Sequence, residues 1–180
     1  LEACRTQPHA QIGGASSFVT AEGDFGSEPA VQFPLPLTTT ETTSSVLIEG
    51  SGEPIDPDQQ IVAAYTIANG RTGESLGSLG YDGSEPLTQV LGELGIPAIV
   101  DGLTCALPGS RVALAVPGGE GLPAEALPPG TEADDTLVFV FDIERAALAR
   151  AEGSPRIVPD GFPAVVLAPD GRPGITVPSE

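Results

Sequence analysis

Asp134-Asp135-Thr136-Leu137-Val138-Phe139-Val140-Phe141-Asp142-Ile143 is the most apolar and most β-prone run in the chain. Ahead of it, Arg111-Val112-Ala113-Leu114-Ala115-Val116 reads as a second strand and stops at Pro117. A Gly/Pro-rich loop joins the two, and a connection of that length invites a functional reading. Further back, Ile96-Pro97-Ala98-Ile99-Val100-Asp101-Gly102-Leu103 fits a short helix, with Pro97 in the tolerated first turn. Its Ile96, Ile99, Val100 and Leu103 fall on one face. A turn, Leu107-Pro108-Gly109-Ser110, then leads into the first strand.

Outward from this stretch, composition narrows the class. The 180 residues hold 23 Gly and 19 Pro with only 4 % aromatics, which argues for short strands between many turns and against a helical bundle. All seven Lys-or-Arg positions are Arg, and the formal charge of −18 repels nucleic acid and anionic lipid, which rules out nucleic-acid binding. One His and two Cys are too few for a three-His or Cys-rich zinc site, and His9 lies in a polar N-terminal stretch, away from any triad pattern. Neither Asp56-Pro57-Asp58 nor Asp134-Asp135 has calcium-loop spacing. No metal and no cofactor are expected.

In chain order, residues 1–18 are expected to carry little regular structure. Gly23-Asp24-Phe25-Gly26 is a turn, and residues 29–34, bracketed by Pro29 and Pro34, suit an edge strand. Strands follow near 45–49, 60–68 and, irregularly, 74–91; the helix lies near 97–104, and the last two strands are 111–116 and 136–143. Residues 144–150 read as weakly helical and 151–174 as a linker. Pro173-Gly174-Ile175-Thr176-Val177-Pro178 then repeats the pattern of Pro29-Ala30-Val31-Gln32-Phe33-Pro34 at an offset of 144 residues. That repeat suggests a tandem protein in which a second unit is just beginning.

Tyr65 within a strand, Gly102-Leu103 ahead of Gly109-Ser110-Arg111-Val112, the Val116-Pro117 stop and residues 135–142 together resemble the FKBP-type peptidyl-prolyl isomerases over roughly residues 40–146. Residues 23–26 and 31–36 look like the segment ahead of the first domain in tandem FKBP-type proteins of actinobacterial envelopes. The resemblance implies an α+β, FKBP-like fold: a curved five- to six-stranded antiparallel sheet wrapped around one short helix. It divides the chain into an N-terminal extension (1–37), an FKBP-like domain (38–146), and a linker with the start of a second domain (147–180). It implies proline-containing segments as partners, a second FKBP-type domain in the full-length chain, a monomer, and a place in the cell envelope outside the cytoplasm, with any lipid anchor upstream of these residues.

Position by position, the resemblance assigns Tyr65 to the pocket tyrosine, Phe139 to the aromatic of the last core strand, and Ile96 to the residue whose backbone N–H binds the substrate carbonyl. Glu74 takes the place of an aspartate beside a pocket phenylalanine that Gly73 replaces. Leu87 stands for another phenylalanine, Ile99 for the tryptophan of the floor, and Leu122 for a tyrosine whose hydroxyl binds substrate. These replacements imply weak isomerase activity, or a non-catalytic binding or spacer module supporting an active partner domain. A β-sandwich adhesion domain is the alternative that a structure would separate. For an exported protein, Cys4 and Cys105 are expected to form a disulfide; acylation of Cys4 is the rival reading.

Overall fold

The computed structural model describes Cys4, residues 11–122, 127 and 129–147, and the backbone of 164–167 and 173–176. The chain falls into two compact units, Leu1–Ala149 and Arg150–Glu180.

In the first unit, β1 (Gln11–Ile12) is followed by a 3₁₀ turn (Gly14–Phe18), β2 (Thr20–Glu22), β3 (Ala30–Gln32), β4 (Thr43–Ile48), β5 (Gln60–Asn69), β6 (Ser75–Leu79) and β7 (Leu87–Val90). A second 3₁₀ turn (Leu91–Glu93), the helix α1 (Pro97–Leu103), β8 (Arg111–Val116) and β9 (Leu137–Ala146) complete it. The sheet order is β1-β4-β8-β9-β5-β6, with β7 sharing β5's outer edge with β6. All its pairings are antiparallel except β1 with β4. The irregular strand expected over 74–91 is therefore two strands on one edge, parted by a turn at Tyr81–Ser84 where Ser84 N donates to Tyr81 O at 3.0 Å. Residues 144–146 continue β9 rather than starting a helix.

Alternation decides which face each side chain joins. Val112, Leu114 and Val116 of β8, with Leu137, Phe139, Phe141 and Ile143 of β9, pack with Ile99 and Leu103 of α1. Burying each of these large side chains is worth about 1.5–3 kcal/mol, so this face supplies the main core. The helix starts at Pro97, whose missing N–H has no partner to lose there. It lies close to the sheet because Gly102 has no side chain: a Cβ there would stand 2.5 Å from Leu114 Cδ2. Val100 is only half-buried, and Ala98 and Gly102 join the buried face instead.

The opposite face is covered as well, by the N-terminal extension. Ala68, Ala113, Ala115, Val138 and Val140 pack against Val19 and Leu37, with Ala21, Val31 and Phe33 at the margin. The small residues let β2 and β3 approach the sheet closely. Residues 11–18, expected to be irregular, are tied down by polar bonds that no apolar pattern advertises. Ser16 is buried, its N–H donates to Thr43 Oγ1 at 3.0 Å, and its hydroxyl pairs with that of Ser45 at 2.8 Å.

An ion pair holds this layer. Arg111 and Asp142, opposite each other in the β8–β9 register, are both fully buried. Arg111 also donates to the carbonyl oxygens of Gly23 (2.8 Å) and Asp24 (3.0 Å), while Asp142 Oδ2 accepts the Gly26 N–H at 2.8 Å. Every bond to the 23–27 turn is thus made to its backbone. Tyr81 is buried too, and burial holds its phenol well above the ordinary value, with Asp142 adding to the shift.

Cys4 and Cys105 form a disulfide, so neither sulfur is left for acylation. The second unit shows β10 (Ala164–Leu167) paired antiparallel with β11 (Pro173–Thr176). Its register, Ala164 opposite Thr176, repeats that of β2–β3, Thr20 opposite Gln32, at the same 144-residue offset as the sequence pattern. Most of the expected linker and the end of the repeat, residues 177–178, lie outside the described residues, as does His9.

Candidate functional site

A cavity of about 210 Å³ opens between the sheet and the residues around the start of α1. It is built from the side chains that alternation sends toward the helix. β9 contributes Phe139 and Phe141, β5 contributes Tyr65 and Ile67, and β7 contributes Leu87 and Gln89. The turn before the helix adds Leu94 and Ile96, the helix adds Ile99, and the loop after β8 adds Leu122.

The rings give the wall its shape. Tyr65 lies opposite Phe141 in the β5–β9 register, with centroids 5.5 Å apart and planes tilted by 46°. Phe141 and Phe139 are nearly parallel at 6.1 Å. Gly95 adopts φ +74° at the turn before the helix, a conformation open to glycine. Next to it, the Ile96 N–H donates to no acceptor among the described residues, while the Ile96 carbonyl oxygen takes the first helical bonds from Ile99 and Val100. The Tyr65 hydroxyl likewise bonds no group among the described residues. The cavity is therefore a largely apolar dent with a few polar atoms that bond nothing among the described residues. Among the described residues no group of three His, Cys, Asp or Glu could hold a metal ion. What this arrangement can do is bind a small apolar ring and offer its neighbouring carbonyl an N–H.

The loop that carries Leu122 is anchored at its foot. Asp135 accepts from Arg71 Nε (2.6 Å) and Nη2 (3.0 Å), from Asn69 Nδ2 (2.8 Å) and from the Glu132 N–H (2.9 Å). The Arg71 bond, helped by those from Glu132 and Asn69, holds the Asp135 carboxyl well below the usual carboxylate range. The β5–β6 turn and the loop's return to β9 are thereby locked together.

Of the seven expected pocket residues, Tyr65, Ile96, Phe139, Leu87, Ile99 and Leu122 share this cavity. Glu74 is not brought to it. It sits at the mouth of the β5–β6 hairpin, where its N–H donates to Thr72 Oγ1 at 3.3 Å and its carbonyl accepts from Asn69 N. Gly73 lines a hollow with Ala30 and Val31 instead. A register shift between Ile67 and Ala68 makes Leu76 the β6 side chain that packs on the core. Sequence reasoning passed over Phe141, Ile67, Leu94 and Gln89. Phe141 was legible, since it lies two residues from Phe139 and so on the same face. Two larger hollows of about 540 Å³ lie elsewhere; one has a single aromatic ring, the exposed Phe18, and the other has none.

Among solved structures, the chain is similar to AtFKBP13, with a TM-score of 0.50 at 19 % identity over 63 % of this chain and 99 % of that one. The fold is FKBP-like. Similarity extends to FkpA from Escherichia coli (TM-score 0.49, 26 % identity, 63 % of this chain and 52 % of that one). A peptidyl-prolyl cis-trans isomerase from Pseudomonas syringae pv. tomato DC3000 also matches (TM-score 0.49, 17 % identity, 58 % and 74 %). This FKBP-like chain therefore spans about half of the FkpA chain. No family model matches the sequence, and no curated protein does.

Proposed function

We propose that the FKBP-like domain is a peptidyl-prolyl cis-trans isomerase of reduced power that acts on exported proteins. Rotation about an X-Pro bond must cross a barrier of about 18–20 kcal/mol because twisting breaks amide resonance. A dry pocket that holds the proline ring against Phe139, with the preceding carbonyl on the Ile96 N–H, favours the twisted amide over the planar one. No nucleophile or metal enters the step. The observation that carries this reading is the Ile96 N–H, unbonded among the described residues, at the edge of a cavity walled by Tyr65, Phe139 and Phe141.

Ile99 and Leu122 explain the reduced power. An aliphatic floor gives the proline ring less flat surface, and Leu122 offers no hydroxyl, a loss of about 1 kcal/mol in a desolvated site. The same two residues favour a second reading, a module that holds proline-containing segments without turning them over. A protease-coupled assay on a proline peptide separates the two, run with the full chain and a Tyr65→Phe/Phe139→Ala variant. Catalysis by the parent and not the variant supports the isomerase. Rates equal to the uncatalysed one for both leave the binding module.

The disulfide supports a location in an oxidising compartment outside the cytoplasm. The β10–β11 hairpin, which repeats the β2–β3 register, supports a tandem arrangement in which it opens a second FKBP-like unit. The complete encoded sequence tests this: a second arginine and a second aspartate are expected about 144 residues beyond Arg111 and Asp142.

A further inference from the structure

Leu87 and Gln89 alternate onto the cavity face of β7, opposite Ala63 and Ile61 of β5. Ala63 and Ile61 are fully buried and apolar, whereas Gln89 across from them is half-buried, its amide at the exposed margin of the cavity. The Gln89 side chain lines the cavity between Leu87 and Leu94. Its Nε2 donates to the carbonyl oxygen of Glu93 at 2.8 Å. A carbonyl only accepts, so the amide cannot be turned the other way. This leaves Oε1 as an acceptor with no partner among the described residues.

From this we infer that Gln89 is a specificity-determining residue: it biases the cavity toward segments whose side chain next to the proline carries an N–H or O–H donor. The inference rests on the reading of the cavity as a proline site. The physical reason is the asymmetry between polar and apolar sites. A purely apolar wall barely distinguishes an added polar group, whereas a wall with a fixed acceptor penalises a ligand that leaves it unpaired. With Ile96 N–H donating to the carbonyl and Gln89 accepting from the neighbouring side chain, the two groups read opposite hydrogen-bonding signs on one short segment.

The test is a titration of the full chain, followed by amide NMR shifts, with two near-isosteric peptides, Ala-Asn-Pro-Phe and Ala-Leu-Pro-Phe. The Asn/Leu affinity ratio is compared in the parent, in Gln89→Met and in Gln89→Glu. Gln89→Met is expected to lower the ratio by about fivefold, the effect of one hydrogen bond. Gln89→Glu keeps an acceptor but loses the donor that fixes it on the Glu93 carbonyl, and is expected to keep part of the preference for Asn. A merely structural role, through the bond to Glu93, would weaken both peptides together and leave the ratio alone; that result overturns the inference while the proline site stands. If neither peptide binds the parent chain, the proline-site reading falls and this inference falls with it.

Discussion

Arg111 and Asp142 face each other across β8 and β9 with Nε 2.5 Å from Oδ1, both side chains shut away from water. A buried ion pair contributes little net stability when its desolvation is counted, but removing one partner leaves the other charged and stranded. Here the pair has a further task, because Arg111 also satisfies the carbonyls of the 23–27 turn.

Arg111→Met is therefore expected to destabilise the domain by about 3–5 kcal/mol, measured by chemical denaturation. The double variant Arg111→Met/Asp142→Leu should recover part of that loss and not all, since the turn carbonyls stay unpaired. Amide exchange in Thr20–Gln32 should accelerate in both. Unchanged protection there would mean that apolar packing alone holds the hairpin.

The Asp135 network gives a pH dependence with a defined sign. The folded carboxyl titrates below its unfolded value, held there chiefly by Arg71. Its stabilisation is complete above about pH 4 and is lost as the pH falls toward the folded value. Urea midpoints of the parent and of Asp135→Asn should differ by a constant amount from neutral pH down to about pH 4 and converge below it. A gap that stays constant to pH 2 would show that the carboxylate's charge is not what fastens the loop.

Cys4 and Cys105 are 101 residues apart, so their bond closes most of the domain into a loop. The chain-entropy estimate for a loop of that length is about 4–5 kcal/mol. Reduction, or a Cys4→Ser/Cys105→Ser variant, should lower the denaturation midpoint by up to that amount while leaving the far-ultraviolet spectrum intact. A midpoint that does not move would mean the N-terminus is held by other contacts.

How much of this was legible depended on whether apolar side chains drew the pattern. β5, β8, β9 and α1 are specified by Ile, Val, Leu and Phe at period 2 or 3.6, and they could be read directly. The layer on the other face is specified by Ser16, Thr43 and the Arg111–Asp142 pair, which bond to backbone and leave no periodic trace. In the site, Tyr65, Phe139 and Ile99 were assigned by the family resemblance, and the cavity brings all three together. Glu74 was misplaced because a one-residue shift in the β5–β6 register changes which side chain turns inward. Gln89 went unnoticed for a related reason: β7 has only four residues, too few for alternation to single out a polar residue on the apolar face.

Leu122 offers a gain-of-function test. It lines the cavity from the loop after β8 and is only half-buried, so a larger side chain can extend without displacing the core. Gly121 beside it is tighter, since a Cβ there would meet Leu137 Cδ1 at 3.1 Å, which fixes where position 122 projects. Leu122→Tyr places a hydroxyl donor on the same cavity as the Ile96 N–H. One such bond made only to the twisted amide would raise kcat/KM by about three- to tenfold. The rise should appear in kcat rather than KM, because a bond equally available to the planar amide would tighten binding and leave kcat unchanged. Ile99→Trp is the contrasting variant: Ile99 is buried in the main core, and the extra volume should cost about 1–3 kcal/mol of stability whatever it does to the floor. If Leu122→Tyr folds normally and its kcat stays at the parent value, the loop does not reach the bond being turned, and the reduced power we propose must be sought at the other replaced positions, Ile99, Leu87 and Gly73.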